Sequence, residues 1–159
     1  MKNFKILIFA AALMQLTACD LGKEPEIGGV LLQEMCGEWW IKVYYEGNAL
    51  TGYNLMSTFN TAANSDKDIF IDDHELWPFK VHATADLGSM VLSGSNLDNL
   101  YDESITVNIL EGKIIKAAAT TSGGNKTDSI YLRMEFADDP GTEYVYSGYK
   151  RTGFLEDEH

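Results

Sequence analysis

Hydrophobic and polar residues alternate with a period of two along most of the chain beyond residue 37. Gly37-Glu38-Trp39-Trp40-Ile41-Lys42-Val43-Tyr44-Tyr45 sets the pattern, with Trp39, Ile41, Val43 and Tyr45 on one face and Glu38, Trp40, Lys42 and Tyr44 on the other. Such alternation predicts a half-buried strand whose apolar side faces a core. Gly37 lets the backbone enter that strand with no side chain in the way. The pattern recurs at 53–60 and most clearly at 77–86, where Trp77, Phe79, Val81, Ala83 and Ala85 share a face. Short strands are predicted at Asp68–Asp72 and Met90–Leu92, then at 105–109 through Ile105, Val107 and Ile109. Glu111-Gly112 predicts a tight hairpin turn, with Lys113–Ala119 as the returning strand. Ile130, Leu132, Met134 and Phe136 alternate next, and Glu143–Arg151 forms the last strand. Ser122–Asn125 and Asp138–Gly141 read as turns, and Ala62–Lys67 and Gly94–Glu103 as polar loops.

Eight or nine short strands with turn signals between them predict an all-β fold. Small inward residues beside large ones (Ala83 and Ala85 next to Phe79 and Val81) fit the tapering interior of an antiparallel meander barrel of about eight strands. Closing the sheet removes the exposed edges that invite aggregation. Ile41, Val43, Tyr45, Phe79, Val81, Ala83, Leu132 and Met134 are the expected cavity lining, with loops around Asn60–Ser65 and Gly94–Glu103 as its mouth. The same alternation is what a solid core would show, because periodicity reports which side is buried and not whether it is filled.

The start of the chain changes the picture. Lys2 and Lys5 precede an apolar run from Ile6 to Met14, and Leu16-Thr17-Ala18-Cys19 closes it. The run is the length of a secretory signal and too short to span a bilayer. A cysteine directly after small residues matches the processing box of bacterial lipoproteins, in which the thiol is acylated before cleavage. The chain thus divides into a signal peptide at 1–18, a lipidated tether at 19–33 that begins at Cys19, and a barrel domain at 34–159. Lipid anchoring in the outer membrane is the expected localisation. Loss of Lys2 and Lys5 from the 12 basic residues leaves 10 against 24 acidic ones, a net charge of −14. A surface this acidic excludes electrostatic binding of nucleic acid or anionic headgroups, so the membrane is held by lipid. With Cys19 acylated, Cys36 has no intramolecular partner and reads as a small hydrophobe.

Candidate chemistry is sparse. No Gly-x-Ser-x-Gly elbow is present. Asp72-Asp73-His74-Glu75 is the densest cluster of metal-type or acid–base residues, but adjacent residues in an extended loop point apart and no second histidine stands at ligand spacing. No metal, cofactor or catalytic residue is assigned. Trp40, Tyr44 and Tyr131, on the solvent-side phase of their strands, offer an alternative function as a glycan- or protein-binding surface.

Gly37-Glu38-Trp39 resembles the first-strand signature of lipocalins. In that family a basic residue near the end of the barrel packs over this tryptophan and plugs the closed end. The resemblance gives Gly37, Trp39 and Arg151 (or Lys150) structural roles, through a cation–π contact. More specifically, Gly37–Trp40, Phe59–Asn64, Ile71–Asp73, Trp77–Val81 and Ser147–Phe154 resemble a Bacteroidetes family of lipocalin-like lipoproteins, the lipid-binding putative hydrolases. The resemblance implies a small hydrophobic or amphipathic ligand as partner, and leaves hydrolysis of an unknown substrate as a further alternative.

Overall fold

The computed structural model describes residues 29–159. Nine strands follow one another: β1 (Gly37–Tyr45), β2 (Asn48–Ala49), β3 (Asn54–Asn60), β4 (Asp68–Asp72), β5 (Lys80–Asp86), β6 (Val91–Asp98), β7 (Thr106–Thr120), β8 (Lys126–Phe136) and β9 (Tyr144–Lys150). From β3 onward each pairs antiparallel with the next, and β9 returns to β1 in a register running from Trp39 opposite Lys150 to Tyr45 opposite Tyr144. The two-residue β2 only extends β1 into a hairpin. The remaining eight strands form a closed antiparallel barrel, as the alternation predicts. The inward phase of each strand is apolar and carries the core: Trp39, Ile41 and Val43 from β1, Ile69 and Ile71 from β4, Ile130, Leu132 and Met134 from β8.

One end of the barrel is sealed by the segment leading into β1. A 3-10 turn, Gln33–Met35, drops Met35 onto the core beside Leu32, and both side chains are fully buried. Residues 29–33, grouped with the tether on sequence grounds, therefore contribute to the packed fold. Thr58 links the seal to the wall. Its hydroxyl donates to the Met35 carbonyl at 2.6 Å and accepts from the Trp39 indole Nε1 at 2.9 Å. Lys150 crosses above, with Nζ 5.6 Å from the Trp39 ring centroid and donating to the Cys36 carbonyl at 2.8 Å. A Cβ on Gly37 would come within 2.5 Å of the Lys150 stem.

Lys150, and not Arg151, thus takes the plugging position. Register decides it: Lys150 is the residue paired with inward Trp39, so the next residue along β9 faces outward. Arg151 instead bonds Glu38 at 2.6 Å and Glu158 at 2.8 Å, with its guanidinium 5.8 Å from the Trp40 ring centroid.

The chain does not turn at Glu111-Gly112. β7 runs through these residues as one 15-residue strand. Gly112 is required by close approach: a Cβ there would overlap the Leu92 carbonyl oxygen of β6. Register shifts on both sides of β7 mark bulges that bend it around the barrel. Gly94–Asp98, expected in a polar loop, belongs to β6. Trp77-Pro78-Phe79, expected at the start of a strand, lies in the β4–β5 connection. Pro78 has no N–H to give a ladder.

Candidate functional site

Connections alternate between the two ends of an up-and-down barrel. Asn60–Ser65 therefore lies at the sealed end, against which Leu31 N donates to Asn64 at 3.0 Å. Asn99–Ile105 lies at the other end with the β4–β5 and β8–β9 connections. The two loops expected to share a mouth are at opposite ends, and only the second borders the site described below.

At that second end the β4–β5 connection folds back into the barrel around Asp73. The carboxylate, 1% exposed, accepts from Trp77 N at 2.7 Å and Phe79 N at 3.1 Å. The backbone closes the same loop, with Asp73 N donating to the Phe79 carbonyl at 3.2 Å. His74 and Glu75 both take positive φ, 55° and 65°, to make the bend, a conformation that costs non-glycine residues energy and persists where its surroundings hold it. Burial pushes the Asp73 carboxyl up to about 6, against the downward pull of the backbone N–H groups of Trp77, Phe79 and Glu75, and the charge of Asp72 adds to the rise. Asn99, also buried, clips the neighbouring loop to this one. Its Oδ1 accepts from Lys80 N and Tyr101 N, and its Nδ2 donates to the Pro78 carbonyl at 2.8 Å.

The product of this folding is a plug. Phe79 has no accessible surface, and its ring stands edge-on to Tyr146 at 5.4 Å and to Phe136 at 5.8 Å. Above it Trp77, Pro78, Asn99, Asp102, Ile105, Phe136 and Asp138 line a cavity of about 140 Å³. Trp77 packs on Tyr144 at 5.1 Å, and Tyr144 on Tyr45 at 5.9 Å, which completes an aromatic rim.

Below Phe79 the barrel is filled. Ile41, Val43, Val81, Leu132 and Met134 have no surface that a water-sized sphere can touch, and Ala83 almost none. An open internal cavity would leave its lining residues in contact with such a sphere. Tyr45 differs from the other expected lining residues in being 38% exposed, at the rim. Three buried side-chain polar atoms have no hydrogen-bond partner among the described residues: Trp40 Nε1 on the outer phase of β1, Thr61 Oγ1 after β3, and the Tyr146 hydroxyl in the barrel interior. Burial first, then the nearby Asp73 and Tyr144 groups, hold this phenol well above the ordinary tyrosine range.

Tyr146, Asn99 and Phe136 were not singled out from sequence. A tyrosine at an inward position is the available signal, since its polar end needs a partner when buried. Asp73 drew attention only as one of an acidic run, and the structure gives the run's members separate tasks. Asp72 accepts from Tyr101 Oη at 2.9 Å and pairs with Lys80 at 3.1 Å. His74 Nε2 lies 2.8 Å from Ser57 Oγ on the outer wall of β3. Among the described residues no group of three or more His, Cys, Asp or Glu side chains is placed to hold a metal ion. Cys36 is half-buried, and burial raises its thiol above the usual range, the opposite of what activates a nucleophile. Trp40 is covered by Arg151 and by His159, whose ring meets it edge-on at 5.5 Å. Tyr44 and Tyr131 are each partly exposed on the outer wall. Cys19 lies outside the described residues.

An eight-stranded antiparallel barrel has an interior that side chains can fill or that can hold one small ligand. Residues 24–155 match the family described as lipid-binding putative hydrolase, and the chain belongs to that family. A search of curated proteins finds no match.

Proposed function

We propose that the protein is a lipid-anchored lipoprotein of the outer membrane whose barrel takes a small hydrophobic or amphipathic ligand through the end that Phe79 plugs. The family is a lipid-binding one. The observation that carries the reading is the position of the plug: Phe79 lies in the β4–β5 connection, one residue ahead of β5, and packs against Phe136, which lines the cavity. A cavity of about 140 Å³ is smaller than the ~300–1,000 Å³ of most ligand sites. It serves as a vestibule, and the rest of the site is the volume Phe79 gives up when the loop swings out.

The Leu16-Thr17-Ala18-Cys19 box supports the anchor. A chain held at Cys19 would reach the barrel at its sealed end, where residues 29–35 pack, the end opposite Phe79. The test is native mass spectrometry of the soluble domain, first as purified and then after solvent extraction and exposure to single-chain lipids. The reading expects a bound amphiphile at one per chain that extraction removes and re-addition restores. A bare mass throughout would overturn it.

A further inference from the structure

The unpartnered Tyr146 hydroxyl has no structural use in the state described. A buried polar group left without a partner destabilises the fold relative to the same site without it, and phenylalanine would fill this position equally well. Its ring lies against Phe79, and Phe79 against Phe136, which lines the vestibule. Displacing Phe79 would join the vestibule, whose polar lining is Asn99, Asp102 and Asp138, to an inner stretch between Phe136 and the Tyr146 ring where the Tyr146 hydroxyl has no partner among the described residues.

Charge narrows what that group meets. The charged residues buried among the described residues are Asp72, Asp73 and Asp157, all acidic. Lys150 is committed at the opposite, sealed end to the Cys36 carbonyl. A carboxylate or phosphate entering beside Tyr146 would find no cation to pair with and the Asp73 carboxyl close by, and an unpaired buried charge is costly. Both Asp73 oxygens already accept backbone N–H groups, which leaves little for an ammonium head to claim.

Resting on the lipid-binding reading, we infer that the ligand is an uncharged, single-chain amphiphile whose hydroxyl or carbonyl oxygen takes the hydrogen bond of Tyr146 while its chain occupies the volume vacated by Phe79. Tyr146 is then the group that selects the head, and Phe79 the group that the chain must displace.

Four ten-carbon probes test this by calorimetry and native mass spectrometry: 1-decanol, decanoate, decyltrimethylammonium and the oxygen-free 1-decene. Decanol is expected to bind the wild type at least tenfold more tightly than either charged probe. Tyr146→Phe is expected to weaken decanol about tenfold and leave decene unchanged. Phe79→Leu and Phe79→Ala are expected to tighten decanol and decene together, with thermal melts confirming that each variant is folded. Equal binding of decanol to wild type and Tyr146→Phe would overturn the assignment while leaving lipid binding intact. So would decanoate or the ammonium probe binding as tightly as decanol. Failure of all four probes to bind the wild type or the Phe79 variants would overturn the lipid-binding reading and the assignment with it.

Discussion

Tyr146 and Asp73 show the same compromise between stability and use. Replacing Tyr146 with Phe removes a buried hydroxyl that bonds to nothing, so the unliganded protein should become more stable by about 1 kcal/mol. Urea titration of the ligand-free protein measures it; a destabilised Tyr146→Phe would mean that the hydroxyl has a partner in the apo state. Asp73 makes a prediction in pH. The folded state holds this proton up to about 6, against about 3.9 in an unfolded chain. The group thus favours folding fully below about pH 3.9, and the advantage fades as pH rises through about 6. Wild type should lose about 2 kcal/mol from this residue between pH 4 and 7, and Asp73→Asn should flatten that slope. Asp73→Ala is a different experiment, since it orphans the N–H groups of Trp77 and Phe79. It should loosen the loop at every pH, which hydrogen exchange at those amides would show.

Two glycines in strands β1 and β7 illustrate what determines an element's tolerance. At Gly37 an added Cβ meets the stem of Lys150, a flexible side chain that can move aside. At Gly112 it meets the backbone carbonyl of Leu92, which cannot move without breaking the β6–β7 register. Gly112→Ala should therefore cost about 2–3 kcal/mol, in the range of overpacked cores, and Gly37→Ala about 1 kcal/mol or less. Denaturant unfolding of the two variants side by side checks the order. The segment after β9 is held in another way. Burial acts to raise the Asp157 carboxyl, but hydrogen bonds from Thr121, Thr152, Asn125 and Gly123 outweigh it and hold it at about 2. That carboxylate ties residues 151–159 to the β7–β8 turn. Because its folded pKa lies below the unfolded one, its contribution is present above about pH 3.9 and is lost as pH falls through about 2. Asp157→Ala should expose this segment to proteolysis at neutral pH.

At the scale of the whole molecule, the barrel was legible in the sequence because a period of two over short strands leaves few other ways to bury one face. The turns at Ser122–Asn125 and Asp138–Gly141 were legible for the same local reason, the residues that make them. Gly112 was misread because a glycine needed for close approach looks, along the chain, like a glycine needed for a turn. The strand β6 that demands it is distant in sequence. Strand parity constrains the topology further. With a hairpin at 111–112 the count of full strands is odd, and an odd meander cannot close antiparallel; joining the two halves into β7 makes it eight. The same parity places Asn60–Ser65 and Asn99–Ile105 at opposite ends.

The site was only half legible. The alternation that pointed to Phe79, Val81 and Ala83 as inward residues placed them on the correct side, but no periodicity tells a wall residue from a plug delivered by a loop. What identifies the plug is the set of hydrogen bonds that Asp73 collects and the proline that keeps residues 77–79 out of the ladder. A ligand is expected to enter where Phe79 now sits. The measurement that meets it most directly is a crystal structure of the wild-type domain grown with 1-decanol. The expected result is Phe79 swung out of the barrel, the chain in its place beside Phe136, and the ligand oxygen within hydrogen-bonding distance of Tyr146 Oη. Decanol bound on the outer wall, with Phe79 still packed against Tyr146, would contradict it.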